Sequence, residues 1–126
     1  VDILERDDMN ALAELIVGAV FSKKMEVLIG FARKGLHEMD RNVIHTDVEI
    51  CRAMDYTAIL GAIDIPVLVI ANRGDMVIKC DSTAALASGI PNSRLIIFDH
   101  GGHVPFFENP HGFNEAVDAF LSDCLK

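Results

Sequence analysis

The sequence predicts an α/β chain, with parallel strands joined in a βαβ unit and preceded by a layer of helices. Three observations carry this. "IPVLVIA", residues 65 to 71, is a continuous apolar run rich in β-branched residues, with Pro66 near its start and the polar "NRGD" after it. A strand covered on both faces, as in a parallel sheet, reads this way. "RLIIF", residues 94 to 98, is a second such run, and the helical "STAALAS" between the two stops at Gly89 ahead of Pro91. Residues 1 to about 60, by contrast, carry helical periodicity and no strand pattern.

Taken in order, the first helix is expected to place Met9, Leu12, Leu15, Ile16, Ala19 and Val20 on one face, with Asp7 and Asp8 where the helix dipole favours acid. Ser22 is the expected N-cap of a second helix whose apolar face is Met25, Leu28, Ile29, Ala32, Leu36 and Met39. A third short helix is expected over residues 47 to 54 and a turn from Thr57 to Ala62. Beyond Pro66 comes the strand, helix, strand unit, with Asp81 as the expected helix cap and a right-handed crossover. The last helix starts at Asn109-Pro110, a cap followed by proline at the first helical position. Its stripe of Phe113, Ala116, Val117, Phe120, Leu121 and Cys124 should pack on the sheet.

The chain has 126 residues, the size of one ordinary domain. A formal net charge of −8 argues against nucleic acid or an anionic membrane surface as the main partner. No apolar run reaches the roughly 20 residues of a membrane span. The N-terminus "VDILERDD" is acidic where a secretory signal is basic, and Cys51, Cys80 and Cys124 read as free thiols of a reducing compartment. These features place the chain in the cytoplasm. It begins with Val rather than Met, which fits a processed piece or a fragment.

The stretch "FDHGGHVPFFENP", residues 98 to 110, raises the functional question. It admits a metal pair of His100 and His103, an oxyanion-hole loop of the His-Gly-Gly type, or a single catalytic histidine, His103. In a parallel sheet, ligands and reacting groups gather beyond the C-terminal ends of the strands. "NRGD" and "DHGGH" both leave such ends, so Asp75 and His103 should emerge on one edge, within hydrogen-bond reach. A carboxylate so placed fixes the imidazole tautomer and stabilises the imidazolium formed in general-base work.

From about Asp55 onward these residues resemble the closing third of an α/β-hydrolase. "IDIPVLVIANRGD", "SGIPNSRLIIFDHGGHVPFFENP" and "FNEAVDAFL" carry the resemblance. It implies that Asp75 is the catalytic acid and His103 the catalytic histidine, with Glu108 and Pro110 forming the family's Glu-x-Pro. Residues 1–55 would then be a helical lid and residues 56–126 the C-terminal part of the hydrolase core. The implied function is hydrolysis of an ester, lactone or similar acyl substrate, with no cofactor and no metal. Phe106 and Val104 are candidates for the substrate pocket, although core packing also accounts for Phe106 and Phe107.

Asn72 stands where the family commonly has glycine, and Lys79 where it commonly has proline. There is no Gly-x-Ser-x-Gly elbow, and the implied nucleophile would come from an upstream half of the same fold or from a second chain. The missing elbow also removes the oxyanion-loop reading, because that loop precedes a nucleophile. The metal reading lacks a third ligand at a diagnostic spacing. The alternative to an enzyme is a non-catalytic half-fold that acts as a binding or scaffold module paired with another chain.

Overall fold

The computed structural model describes residues 8–22 and 25–126; Asp7 lies outside them. The chain divides between Asp55 and Tyr56 into two compact units.

The first unit holds three helices: α1 (Met9–Val20), α2 (Glu26–Glu38) and α3 (Arg41–Ala53). Asp8 caps α1, its side chain accepting the N–H of Ala11 at 3.0 Å. The covered face of α1 differs from the expected one. Leu12, Ala13 and Val17 are buried, while Leu15 is 53% exposed. Positions 9, 12, 13, 16, 17 and 20 form the tighter three-and-four stripe, and Leu15 falls beside the outward Glu14. Glu14 takes a two-pronged hydrogen bond from Arg33 of α2. On α2, Leu28, Ile29, Ala32 and Leu36 are half-buried as expected. Its N-cap, however, is Met25 with no side-chain cap, not Ser22. Helix α3 begins at Arg41 rather than at 47, because the Asp40 side chain accepts the N–H of Asn42 at 2.8 Å and starts the helix before its apolar residues.

The second unit contains a 3-10 helix (Thr57–Ala62), β1 (Val67–Asn72), α4 (Cys80–Gly89), β2 (Ser93–Phe98), α5 (Pro105–Glu108) and α6 (Pro110–Cys124). The two strands pair directly and in parallel, from Val67 opposite Ser93 to Asn72 opposite Phe98. They make a two-stranded sheet among the described residues. Helix α4 packs on both strands and on the 3-10 helix. It buries Ala87 and Ile90, while Val69 and Ala71 are buried in β1. Gly89 ends α4 close against the 3-10 helix, where a Cβ would lie 2.9 Å from Leu60 Cδ1 and make that side chain shift. Asp81 is not the cap of α4. The cap is Lys79, which has no side-chain bond, and Asp81 sits in the first turn.

Asn109 does cap α6, accepting the N–H of Gly112 at 3.2 Å, with Pro110 in the first turn. The α6 stripe is less covered than expected. Phe113, Ala116, Val117 and Phe120 are half-buried, but Leu121 and Cys124 are exposed. Strand β2 is likewise half-buried along most of its length.

Candidate functional site

The register of the sheet sets the site. Asn72 and Phe98 end their strands opposite each other, and the N–H of Arg73 donates to the Phe98 carbonyl at 3.0 Å, extending the ladder into the loops. Both loops therefore leave one edge together. Arg73 Nε also donates to Asp99 Oδ1 at 2.9 Å, an exposed tie between them. At Gly74 the loops approach so closely that a Cβ would lie 2.6 Å from the Gly101 carbonyl oxygen.

Asp75 heads a turn of its own making. Its Oδ1 accepts the backbone N–H groups of Val77 at 2.8 Å and Ile78 at 2.9 Å. Its Oδ2 lies 2.9 Å from His103 Nδ1, the approach expected from the strand-end placement. The Asp75 side chain is 12% exposed and that of His103 is 37% exposed. Burial pushes the Asp75 carboxyl up. The hydrogen bond from His103 and those from the N–H groups of Ile78 and Val77 outweigh it and hold the group below the usual carboxylate range. An ionised carboxylate only accepts, so in the neutral ring the proton sits on Nδ1 and Nε2 keeps its lone pair. That tautomer can take a proton from a hydroxyl or a water.

The histidine loop is built on two glycines. Gly101 has φ +115°, a region that side-chain-bearing residues rarely adopt. Gly102 is buried; its N–H donates to Glu108 Oε2, and its carbonyl accepts Nδ2 of Asn72 at 2.6 Å. Glu108 thus organises the loop, and Asn72 has a partner that its place in the sequence gave no hint of.

The remaining candidates sit further from the chemistry. His100 is exposed, and no group of three or more His, Cys, Asp or Glu able to hold a metal occurs among the described residues. Val104 is half-buried and is the N-cap of α5. Phe106 and Phe107 are 47% and 50% exposed, so neither fills a core here. Their rings stand 4.8 Å apart, and Phe106 meets Phe113 of α6 edge-on at 6.0 Å. The cleft beside Asp75, about 430 Å³, is lined by Arg73, Met76, Lys79, Cys80 and Asp81 together with Asp75 itself. Sequence reasoning missed this polar wall, whose residues carry no shared motif. No helix among the described residues is long and apolar enough to cross a membrane.

Two parallel strands joined through a helix, with an acid and a histidine at one strand-end edge, are compatible with an α/β class of hydrolases. The chain is a member of the α/β-hydrolase fold family, whose model matches residues 27–110. The chain is 34% identical over 86 residues to a putative carbamate hydrolase RutD of Pseudomonas syringae, covering 68% of this chain and 33% of that protein. It is 30% identical over 76 residues to a pimeloyl-[acyl-carrier protein] methyl ester esterase of Nitrosomonas europaea, covering 60% and 30%. Among solved structures, a hydrolase from Pseudomonas aeruginosa superposes with a TM-score of 0.83 at 27% identity, covering 94% of this chain and 46% of that one. The chain therefore spans between about a third and a half of the length of these proteins.

Proposed function

We propose that this chain supplies the acid and the histidine of a nucleophile–histidine–acid triad, in a hydrolase acting on an ester, lactone or similar acyl substrate. The observation that carries the reading is the 2.9 Å contact between His103 Nδ1 and Asp75 Oδ2 at the shared strand-end edge. Support also comes from the relatives, which are named as hydrolases of carbamate and methyl ester bonds.

In this reading His103 Nε2 takes the proton of the nucleophile as it attacks the acyl carbon, and Asp75 steadies the imidazolium. The same proton passes to the leaving group. His103 then draws a proton from water, which attacks the acyl-enzyme, and returns it to the nucleophile. No step needs a cofactor. Val104 and Phe106, which flank Pro105 just beyond His103, would contribute to the acyl pocket.

The nucleophile would come from an upstream half of the same fold or from a second chain. The sequence holds no Gly-x-Ser-x-Gly, and among the described residues each strand has one edge without a strand partner, where further strands would pair. Three free cysteines support a reducing, cytoplasmic setting.

The test is Asp75→Asn in the enzyme assembled with its nucleophile. The amide can donate to Nδ1 and hold the wrong tautomer, so kcat should fall about 10³- to 10⁴-fold. Undiminished turnover in the folded variant would remove Asp75 from the triad.

A further inference from the structure

Gly102, the residue before His103, has both backbone groups tied by side chains from two different elements. Glu108 Oε2 on α5 accepts its N–H, and Asn72 Nδ2 at the end of β1 donates to its carbonyl at 2.6 Å. Asn72 is 2% exposed, the most enclosed polar side chain described. Its own backbone carbonyl accepts the N–H of Asp75 at 3.2 Å. One residue therefore grips the acid turn with its backbone and the histidine turn with its side chain. Gly101 closes the assembly, because a Cβ there would lie 2.9 Å from both Asn72 Nδ2 and Glu108 Oε2.

We propose that Asn72 and Glu108 are positioning residues which clamp the two peptides flanking Gly102 and so set the His103 ring against Asp75. The proposal rests on the hydrolase reading above and adds to it the groups that hold the pair in register. Both act through Gly102, Glu108 on the peptide that enters it and Asn72 on the peptide that leads into His103. The other end of the Asn72 amide, Oδ1, is buried with no hydrogen-bond partner among the described residues. Burying half an amide unsatisfied is unfavourable, so the residue's contribution lies in the bond Nδ2 makes. A smaller residue at position 72 would leave the Gly102 carbonyl without this donor and free the peptide to rotate. A shift of about 1 Å in a reacting group can lower turnover about 100-fold.

The experiment compares Asn72→Ala, Asn72→Asp, Glu108→Ala and Glu108→Gln in the assembled enzyme, with His103→Ala as the reference. Turnover of a p-nitrophenyl ester is measured well below each variant's melting temperature, and the Nδ1–H proton of His103 is followed by NMR. The clamp predicts that Asn72→Ala, Asn72→Asp and Glu108→Ala each lower kcat about 10- to 100-fold, with KM nearly unchanged. The proton signal should weaken in all three. Glu108→Gln keeps an oxygen that accepts the Gly102 N–H and should recover most of the loss. Variants that melt earlier but keep wild-type kcat and the proton signal would reduce both residues to structural ones and overturn the proposal. If neither Asn72 variant folds, the Glu108 pair decides, and equal kcat for Ala and Gln overturns it. The reference keeps the two failures apart. If His103→Ala retains turnover, the assignment of His103 to the triad fails; if it loses turnover while the clamp variants do not, only the clamp fails.

Discussion

Asp75 divides its oxygens: one takes two backbone N–H groups of its own turn, the other meets His103. These bonds hold its carboxyl below the usual range although burial pulls the other way. A carboxyl whose folded value is depressed contributes stability that is fully present above the unfolded value, near 3.9, and is lost as pH falls through the lower folded value. Unfolding by urea at a series of pH values should therefore show the wild type losing stability faster than Asp75→Asn below about pH 4. Parallel curves for the two proteins would mean that these bonds do not hold the ionised form. Asn72 is the residue that sequence reading could not place. Its partner is a backbone carbonyl 30 positions away, and no pattern in a single sequence announces a side chain-to-backbone bond at that range.

At the scale of elements, the strands and the last helix were readable and several helix starts were not. "IPVLVIA" and "RLIIF" are β-branched runs with sharp boundaries, and Asn109-Pro110 is a cap that acts locally. Helix α3 is not legible over residues 41–46, nearly two turns, because Val43 and Ile44 are the only apolar residues in that stretch and show no helical repeat by themselves. Asp81 looked like a cap but lies inside α4. The two glycines of "HGGH" are visible in the sequence as a point where the chain can turn sharply; the bond by which Asn72 locks that turn is not. Gly101→Ala tests that lock. Glu108 can swing away from a new methyl group, but the enclosed Asn72 cannot, and φ +115° is itself strained for alanine. Urea unfolding should show a loss of about 1–3 kcal/mol. Wild-type stability would mean that the loop adopts another conformation in solution.

For the whole molecule, the topology is what made the functional pair legible. A βαβ unit sends both strand ends to one edge, so an acid after β1 and a histidine after β2 arrive together without any local sequence link between them. The coverage of β2 and α6 was not legible in the same way. The apolar pattern describes surfaces fit for burial, while the described residues leave Leu121 and Cys124 exposed and β2 only half-buried. The account stands on His103 as the general base of the assembled site. Its most direct test is the turnover number of His103→Ala on a chromogenic ester, with folding checked by circular dichroism. The account predicts a fall of at least about 10³-fold, with the residual rate left to binding and oxyanion stabilisation. A folded His103→Ala enzyme turning over within a few-fold of wild type would contradict it.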